Sequence, residues 1–508
     1  MQTLIYTLRF ALLGIVVLDT TDLFAQANVE PTSNDQPVRP NILWIIVDDM
    51  SAEFSCYGEK LIQTPNVDAL AGRGIQFNHA YVTAPVCSTC RSAFITGMYQ
   101  TSIGAHHHRS GRGELKIELP ADVQLVPKLF QDAGYYTSIS GWPNKKGRLG
   151  KTDYNFEWDP SIYNSSDWTQ RAPGQPFFAQ IQTPGGKLRG ASPEAAEKLA
   201  AQAKQVLGSA TDPADVTLPP YYPNDPVLLQ DWAAYLDSIR LTDHMVGEVI
   251  EKLRQDGDLE NTVVLFMTDH GISHARGKQF LYDEGIHVPL VIAGPGIEHA
   301  TRNDLVEHID IAALSLGLAG IEIPKSMQAQ DILSPEYVAR DAVFSARDRC
   351  DETVEHLRSV RTANLKYIRN YLNQRPHMQP CAYKDGKAIV QAMRRLHDEG
   401  KLTELQDRIF QPTRPTEELY DLANDPFETR NLAGNPEWAR QLEQMRQRLA
   451  QWEETTGDMG RQPESPEMYD SDMQVYVDGI AKRNKSPEHA QRIQDNIAQM
   501  KLWAKEGK

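Results

Sequence analysis

Long apolar runs in the chain predict strands that are buried on both faces. Residues 41–47 form one near-continuous apolar run, and residues 262–267 form another. Strands of this kind are typical of a mainly parallel sheet that is covered by helices on both sides. Residues 134–140 and 288–293 are two further segments that we predict as strands.

Between these runs, apolar positions recur at helical spacing. Residues 232–255 carry large apolar side chains three or four positions apart and are followed by Gly257, which predicts a long helix with one buried face. A shorter helix is predicted from Pro65 to Gly72 or Gly74.

The pattern changes at about residue 341 to a mixture of short strands and helices. Apolar positions in register after Trp438 predict helices that cover a small sheet. We therefore predict an α/β protein, with a large, mixed and mainly parallel sheet sandwiched by helices and a smaller C-terminal α+β subdomain. The large domain is expected at 41–340 and the subdomain at 341–508.

Residues 1–27 have the pattern of a secretory signal peptide. Arg9 ends a short first region, residues 10–18 form an apolar run, and residues 25–27 are a small-x-small cleavage site. The run is too short to span a bilayer, and no later segment reaches the required length. Residues 28–40 are polar and proline-bearing and are predicted as a linker. We expect a periplasmic or secreted protein that does not span a membrane.

The length, apolar fraction and net charge of the chain indicate a folded protein that does not bind nucleic acid. The 508 residues are enough for a large core, and the apolar fraction of 41% suits a folded protein. The net charge of −16 argues against a nucleic-acid partner. A protein this acidic must build a local positive site if it acts on anions, so individual lysine and arginine positions are informative.

Acidic residues follow two of the predicted buried strands. Asp48 and Asp49 follow the first, and Asp269 and His270 follow the second. Ligands bind at this end of the strands in open α/β sheets, and a divalent cation relieves the repulsion between adjacent carboxylates. An Asp pair that caps the next helix is the alternative. Three carboxylates and an imidazole suit Ca²⁺ or Mg²⁺, although the histidine also allows Mn²⁺ or Zn²⁺.

A cysteine and an arginine are spaced by one helical turn in residues 84–97. If this segment runs from a turn into a helix, Cys87 and Arg91 lie on the same side. A guanidinium beside a thiol favours the thiolate, so Cys87 is a candidate nucleophile, with a buried inert cysteine as the alternative. If Cys87 is used chemically, the other four cysteines allow up to two disulfides. They are Cys56, Cys90, Cys350 and Cys381.

The segment Cys87-x-x-x-Arg91, followed by Thr96-Gly97, resembles the active-site signature of the sulfatases. In that family the cysteine is oxidised to formylglycine, whose hydrated aldehyde is the nucleophile. Thr89 stands where the family usually has proline. The resemblance implies a formylglycine-generating or equivalent maturation enzyme as a partner.

The same resemblance assigns the cation site. In sulfatases, two pairs of residues at strand ends hold one Ca²⁺, and Asp48, Asp49, Asp269 and His270 match these pairs one by one. The resemblance also implies that Arg91 and the cation together lower the pKa of the nucleophile.

Two lysines match residues that contact the sulfate in sulfatases. Lys151 matches the lysine of a Gly-Lys-x-His motif, with Asp153 where the histidine is expected and Lys145 as a competing match. Lys278 matches the second lysine. The strand that begins at Pro176 usually leads to a histidine that is the candidate proton donor, but no histidine follows it here. The resemblance therefore leaves the general acid unassigned.

Several segments are similar to the branch of the family that contains N-sulfoglucosamine sulfohydrolases, among them "RGKQFLYDEGIHVPL". This similarity implies a sulfated saccharide substrate with an O-sulfate or N-sulfate group. Arg347 and Arg349 are candidate contacts to a substrate carboxylate or sulfate, with structural salt bridges as the alternative.

Two other functions are compatible with the same residues. One is a phosphoester or phosphonate hydrolase with the same fold, which differs in the ester that it turns over. The other is a catalytically silent protein that binds sulfated saccharides. The second is consistent with Thr89, Asp153 and the missing histidine.

Overall fold

The computed structural model describes residues 39–145, 147–484 and 487–508, and in the second range the side chains at 481, 483 and 484 are not described. Residues 39–508 form one compact unit. The expected signal peptide and residues 28–38 of the expected linker lie outside the described residues. Among the described residues, no helix has the length and apolar character that crossing a membrane requires.

The first sheet is the framework of the large domain. Its strand order is β3-β4-β1-β5-β6-β2-β7, with β8 also paired to β2. The pairs are parallel except for β5 with β6 and β6 with β2, which confirms the mixed, mainly parallel sheet. The strands are β1 Asn41–Val47, β2 Ile75–Tyr81, β3 Tyr136–Gly141, β4 Phe177–Thr183, β5 Thr262–Thr268, β6 His287–Ala293, β7 Ala300–Arg302 and β8 Val306–Glu307.

The second sheet is antiparallel and lies in the C-terminal part of the chain. Its order is β12-β11-β10-β9. The strands are β9 Val343–Arg347, β10 Leu357–Arg361, β11 Leu365–Asn370 and β12 Glu417–Asp421. The sheet begins close to the expected domain boundary at 340/341, and that boundary stays a prediction.

Helices flank both sheets. They are α1 Pro65–Ala71, α2 Cys87–Thr96, α3 Val126–Asp132, α4 Pro193–Leu207, α5 Pro226–Gln255, α6 Asp283–Ile286, α7 Asp310–Leu318, α8 Ala382–Asp385, α9 Ala388–Asp398, α10 Glu404–Asp407, α11 Ala439–Thr455, α12 Pro466–Asn484 and α13 Pro487–Lys505. Short 3-10 helices lie at Ser55–Tyr57, Pro160–Ile162, Trp168–Gln170, Gly185–Arg189, Pro213–Asp215, Leu259–Asn261, Arg408–Phe410, Pro436–Trp438 and Met459–Arg461.

The helices of the large domain form two groups. Helices α1, α4 and α5 pack in one group, and α2, α3 and α7 pack in the other. Trp44 on β1 reaches the second group, because its indole N–H donates to the Ser315 hydroxyl on α7 at 2.9 Å. The Tyr235 hydroxyl on α5, in the first group, accepts a hydrogen bond from the N–H of Ser51, which follows the C-terminal end of β1. The buried strands therefore lie between helices, as their apolar runs predict.

The long helix α5 begins six positions before the predicted start. The Asp225 side chain accepts a hydrogen bond from the Val227 N–H, and Pro226 occupies the first helical turn. An aspartate cap followed by proline is a strong helix start. The apolar periodicity alone places the start at Trp232, because the three large apolar residues at 227–229 are consecutive and do not show helical spacing.

Buried polar contacts connect the two sheets. Glu307 on β8 is fully buried, and one carboxylate oxygen accepts the Phe344 N–H of β9 at 2.8 Å. The other oxygen accepts the Tyr99 hydroxyl at 2.6 Å. Burial, which the Arg340 guanidinium only partly offsets, raises the pKa of Glu307 to about 7.

A C-terminal helical hairpin, formed by α12 and α13, is attached through a buried arginine. Arg349 is 1% exposed and binds Glu464 through two guanidinium nitrogens at 2.6 and 2.7 Å. A third contact, at 2.8 Å, joins Arg349 to Asp472 on α12. The hairpin is therefore tied to the end of β9 by a buried ion-pair network.

Candidate active site

The two pairs of predicted metal ligands lie side by side. Strands β1 and β5 are parallel neighbours with Val47 opposite Thr268, so the residues that follow them emerge at the same edge of the sheet. The Asp49 N–H donates to an Asp269 carboxylate oxygen at 3.1 Å. Asp49 has a φ of 58°, in the left-handed region that non-glycine residues rarely adopt. This backbone conformation is held at the point where the chain leaves β1.

Cys87 is the first residue of α2 and is buried against these ligands. Its sulfur lies 3.1 Å from Lys278 Nζ and 3.1 Å from His270 Nε2. It is 3.7 Å from Asp49 Oδ1 and 3.8 Å from Lys187 Nζ. The predicted turn-to-helix geometry is confirmed, and it brings the thiol to the predicted metal site.

Arg91 lies one turn further along α2 and faces the carboxylates. It bonds Asp269 through two nitrogens at 3.1 and 3.2 Å, and it forms an ion pair with Asp48. A third contact reaches the Gln182 side-chain oxygen on β4. Arg91 is 1% exposed, so its charge is directed entirely at the site. It orients two acidic residues and makes the ion pair that their burial requires.

Both predicted lysines are at the site. Lys151 Nζ lies 3.1 Å from Asp48 Oδ1, and Lys278 Nζ lies 3.3 Å from Asp49 Oδ1. The competing match Lys145 is an exposed residue.

A third lysine, Lys187, was not predicted. Its Nζ lies 2.5 Å from Asp48 Oδ2 and 3.8 Å from the Cys87 sulfur. Lys187 follows the strand β4 on which the family resemblance leads to a histidine, four residues after Thr183. The structure thus brings an ammonium group to Cys87 in the loop where the expected imidazole is missing.

Two glycines allow Lys187 to reach the site. Gly185 has a φ of 51°, and the Gly186 N–H donates to the Asp48 carbonyl at 2.8 Å. A Cβ atom on Gly186 would lie 2.2 Å from the Asp49 carbonyl oxygen, so the close approach excludes a side chain there. The pair of glycines after a buried strand was the sequence signal for this contact.

Positive charge dominates the surroundings of Cys87. Burial raises the pKa of the Cys87 thiol, but the ammonium groups of Lys151, Lys187 and Lys278 together lower that pKa to about 7. The sequence-based argument assigned this effect to Arg91. The three lysines instead make the largest lowering contributions, because the Arg91 guanidinium is directed at the carboxylates.

The acidic residues stay ionised despite their burial. Burial raises the pKa of Asp48, but Lys151, Lys187 and Arg91 hold it well below its usual range. Burial likewise opposes ionisation of Asp49, and Lys187 and Lys278 lower its pKa strongly. The site therefore presents paired negative and positive groups at neutral pH.

The donor set fits a divalent cation. Asp49, Cys87, Asp269 and His270 each offer a ligand atom, and these atoms lie within 4.8 Å of one another. Asp49 Oδ2 is buried and has no hydrogen-bond partner among the described residues, so one carboxylate oxygen is available to a cation. The His270 Nδ1 faces the Gly271 carbonyl at 2.9 Å, which directs Nε2 toward the cluster. Asp48, the fourth predicted ligand, is adjacent and in this structure is bound by cationic side chains.

A cavity of about 520 Å³ leads from Cys87 to the surface. Asp153, one of the predicted substrate contacts, lies on its wall and pairs with Arg112 at 2.6 Å. The other two predicted contacts are committed to internal ion pairs. Arg347 binds Glu355 at 3.0 Å, and Arg349 binds the hairpin residues described above. The geometry supports the structural alternative for both arginines.

The cysteines do not form the disulfides that the sequence allows. All five are unpaired in the structure, and four of them are buried. Cys90 lies on α2 with its sulfur 2.9 Å from His308 Nε2.

Comparisons with known proteins agree with this site. The family model described as Sulfatase matches residues 40–321, and the model described as N-sulphoglucosamine sulphohydrolase, C-terminal, matches residues 270–411. An ulvan-active sulfatase of Formosa agariphila is 32% identical over 84% of this chain and 77% of its own length. The human N-sulphoglucosamine sulphohydrolase is 26% identical over 82% of this chain and 90% of its own.

A solved structure shows the same fold. It is described as a complex with its substrate D-glucosamine-2-N,6-O-disulfate, and it matches with a TM-score of 0.56 and 18% identity. The match covers 83% of this chain and 98% of that chain. Since the Sulfatase model covers more than half of the sequence, this chain belongs to the sulfatase family and is a sulfuric ester or sulfamate hydrolase.

Proposed function

We propose that this enzyme removes sulfate from a sulfated saccharide, through a formylglycine formed from Cys87 and with one bound divalent cation. The observation that carries the proposal is the convergence of three lysines, two aspartates and a histidine on one buried cysteine. Such an arrangement suits a reaction that transfers a compact anion.

Asp48, Asp49, Asp269 and His270 are the proposed cation ligands. The unpaired oxygen of Asp49 and the imidazole directed at the cluster support this assignment. Three carboxylates favour a hard cation, and we propose Ca²⁺. When bound, the cation polarises a sulfate oxygen and favours ionisation of the nucleophile.

The hydrated aldehyde of formylglycine would supply the nucleophilic oxygen at position 87. Lys278 lies 3.1 Å from the Cys87 sulfur and is positioned to bind the oxygens of the sulfuryl group. Lys151 Nζ lies 3.1 Å from Asp48 Oδ1 and adds a second positive charge. These charges are fixed in place before the reaction, so they stabilise the added negative charge without a reorganisation cost.

Lys187 is the proposed proton donor to the leaving atom. Hydrolysis releases a saccharide oxygen or nitrogen that must gain a proton, and Lys187 Nζ is 3.8 Å from Cys87 Sγ. Burial lowers the pKa of Lys187, but Asp49 and Asp48 raise it above its ordinary value. The amine therefore holds a proton at neutral pH, which a departing oxygen anion can accept.

The saccharide substrate is supported by the relatives and by the pocket. The names of the matched relatives specify ulvan and N-sulphoglucosamine as what those proteins act on. The cavity of about 520 Å³ is in the range of small-ligand sites and accommodates a sulfated sugar. The signal-like pattern of residues 1–27 supports a periplasmic or secreted enzyme, since large sulfated polysaccharides are outside the cell.

The first test is the chemical state of residue 87. The tryptic peptide from Gly74 to Arg91 is analysed by mass spectrometry, using protein made in its native host. We expect the mass deficit of a thiol that has been replaced by an aldehyde oxygen. A Cys87→Ala variant is the control, and it is expected to lose sulfate release.

Turnover is then compared across substrate classes. We expect release of sulfate from N-sulfated or O-sulfated sugars and dependence of the rate on an added divalent cation after chelation. Faster hydrolysis of a phosphonate monoester would favour the phosphonate hydrolase alternative. Tight binding of sulfated sugars without sulfate release, by protein with an unmodified Cys87, would favour the silent binder.

A further inference from the structure

One buried lysine in the active-site cavity has no acidic partner. Lys387 lies between α8 and α9, lines the cavity, and is 7% exposed. Among the described residues, no carboxylate lies within 4 Å of its ammonium nitrogen, and none accepts a hydrogen bond from that nitrogen. The ammonium group lies over the Tyr383 ring, whose centroid is 5.1 Å from Nζ. Because an isolated buried ammonium is costly, this residue requires a physical explanation.

The other charged groups on the cavity wall are paired. Lys187 and Lys278 each contact an aspartate of the metal site. Asp153 is paired with Arg112, and Asp351 lies 3.7 Å from Arg109. Lys387 thus contributes a positive charge that the wall itself does not balance.

Buried residues close to Lys387 add to this positive charge. Arg189 is 1% exposed, and its Nε and Nη1 have no hydrogen-bond partner among the described residues. His274 is fully buried, and neither of its ring nitrogens has such a partner. One carboxylate, that of Asp231, lies within 4 Å of both residues. Lys384 has no carboxylate at that distance in the described part of the chain, and its ammonium group donates to two backbone carbonyls.

The unbalanced positive charge lowers the pKa values of two buried lysines. Burial, together with the positive charge of Arg189, lowers the pKa of Lys387 to about 7. Burial and the charge of Lys387 also lower the pKa of Lys384 to about 7. An anion placed beside Lys387 would reverse both effects, because an opposite charge favours the ammonium form.

The position of Lys387 indicates what that anion is. Two ammonium groups lie over the Tyr383 ring, with Lys387 Nζ 5.1 Å and Lys278 Nζ 5.2 Å from its centroid. Lys278 Nζ is in turn 3.1 Å from the Cys87 sulfur. The ammonium groups of Lys387 and Lys278 are therefore at most about 10 Å apart, a distance that a sugar carrying two anionic groups can span. The Tyr383 hydroxyl is fixed by the Ser273 hydroxyl at 2.8 Å, so the ring has a defined orientation.

We propose that Lys387 forms a second anion subsite, which binds a carboxylate or sulfate group that the substrate carries in addition to the sulfate that is removed. The inference rests on the proposed function, because it assumes that the reacting sulfate lies at Cys87. It goes further by selecting substrates with two anionic groups. The Tyr383 ring would contact the sugar between them.

The test compares substrates that differ by one anionic group. In one arm, glucosamine 2-N,6-O-disulfate is compared with its two monosulfated forms. In the other arm, an N-sulfated glucosamine linked to a uronate is compared with the methyl ester of the same disaccharide. The first arm reports binding of a second sulfate and the second arm binding of a carboxylate.

The variants are Lys387→Met, Lys387→Arg and the control Lys401→Met, an exposed lysine just after α9. In at least one arm, Lys387→Met is expected to lower kcat/KM for the doubly anionic substrate by about 10-fold to 100-fold, as for loss of a hydrogen bond to a charged group. The effect should fall mainly on KM. The singly anionic partner should change less than about twofold. Lys387→Arg should retain most of the preference, and Lys401→Met should match the wild type.

Two results would overturn the inference. Equal losses for both members of each substrate pair would assign Lys387 a structural role, and unchanged kinetics in both arms would show that the substrate does not reach it. Thermal unfolding provides the folding check, and Lys387→Met is expected to be at least as stable as the wild type because it removes an unpaired buried charge.

Calorimetric binding of the same sugars separates this inference from the proposed function. If no sugar is hydrolysed but the second anion still increases affinity only when Lys387 is present, the proposed function fails and the subsite stands. If sulfate is released and the second anion has no effect on affinity or rate in either arm, the subsite alone fails.

Discussion

Lys187 is the residue that most changes the chemistry expected from the sequence. Its ammonium group contacts Asp48 and approaches Cys87 from the loop after β4. A lysine keeps its proton more firmly than a histidine does, so it donates only to a strongly basic leaving atom. An ester with a poor, alkoxide-like leaving group is the substrate that this residue suits.

The proton-donor role predicts different effects for two substitutions. Lys187→Met is expected to lower kcat on the order of 10²-fold to 10⁴-fold, since it removes both the charge and the proton. Lys187→Arg should recover KM but not kcat, because an arginine supplies charge and rarely gives up its proton. The measurement is steady-state kinetics with a saccharide ester and with an aryl sulfate, whose leaving group needs no proton. Equal losses with both esters would contradict the role.

The residues of the site differ in how far the sequence could predict them. Asp48, Asp49, Asp269 and His270 follow buried strands directly, so their strand pattern and the position at the sheet edge predicted the cluster. Lys187 and Lys387 reach the cavity only because of loops whose path depends on tertiary packing. The glycine pair before Lys187 is the one sequence signal for its position, and nothing in the spacing of Lys387 distinguishes it from an ordinary surface residue.

At the scale of single elements, the loop after β4 depends on its glycines. Gly186 donates its N–H to the Asp48 carbonyl, and there is no space for a side chain against Asp49. The loop is thus packed against the proposed cation site, although it supplies none of the proposed ligands.

Gly186→Ala is expected to displace Lys187 and to reduce activity at least about tenfold, with a loss of about 1–3 kcal/mol in the free energy of unfolding from overpacking. Gly434→Ala is the matched control, because a Cβ atom there meets nothing within 4 Å. Activity and thermal unfolding are measured for both variants. Wild-type behaviour of Gly186→Ala would show that the loop can relax around the added methyl group.

The contact between β8 and β9 predicts a pH-dependent stability. Glu307 has a pKa of about 7 in the folded protein, above its ordinary value of 4.5, because it is buried. Between these pH values the native state binds one proton more than the unfolded chain does. The free energy of unfolding therefore falls as the pH rises from about 4.5 through about 7. The total change is about 3 kcal/mol.

Glu307→Gln removes this dependence, since the amide does not titrate and its oxygen still accepts the Phe344 N–H. We expect the unfolding midpoint of the wild type to fall relative to that of the variant as the pH is raised from 5 to 8. The exposed Glu336→Gln is the control and should follow the wild type. A constant difference between wild type and Glu307→Gln across this range would contradict the buried, protonated state.

The elements themselves were largely predictable. The bounds of β1 match the apolar run at 41–47, α1 begins at the predicted Pro65, and α2 lies within the predicted turn-to-helix segment at 84–97. The start of α5 was missed because its cap, Asp225, precedes a run of apolar residues at 227–229 that are consecutive and not helically spaced. The cysteine count allowed up to two disulfides, but all five cysteines are unpaired in the structure. A count of cysteines cannot show which of them come close together in the fold.

On the scale of the whole molecule, charge is distributed unevenly. The chain carries a net charge of −16, yet lysines and arginines line the catalytic cavity. The net negative charge opposes the approach of polyanions in general, and the lysines and arginines of the cavity favour binding of an anionic group there. Substrate binding should therefore weaken as the ionic strength rises.

The cavity also depends on the end of the chain. Tyr476 and Ile480 on α12 line it, and this helix lies beyond residue 411, where the second family match ends. The large domain provides the catalytic groups, and the C-terminal hairpin provides part of the wall that the substrate meets. Differences in substrate between relatives are expected to involve this hairpin.

The buried attachment of the hairpin predicts a large stability effect. Arg349→Met leaves Glu464 and Asp472 without their buried partner, and we expect a loss of about 3–5 kcal/mol in the free energy of unfolding. Arg448→Met is the control, because its pair with Asp341 is exposed and is expected to contribute less than about 1 kcal/mol. Thermal unfolding and limited proteolysis of the C-terminal region are the measurements. Equal effects of the two substitutions would contradict the anchoring role of Arg349.

The burial of Cys87 also constrains the order of events in time. The thiol is 4% exposed in the folded chain, and the groups that enclose it come from positions 187, 278 and, at the cavity wall, 476. While the chain is being made, the segment around Cys87 exists before any of these later segments. An enzyme that modifies Cys87 must therefore act on the unfinished or unfolded polypeptide, so the modification must be faster than folding.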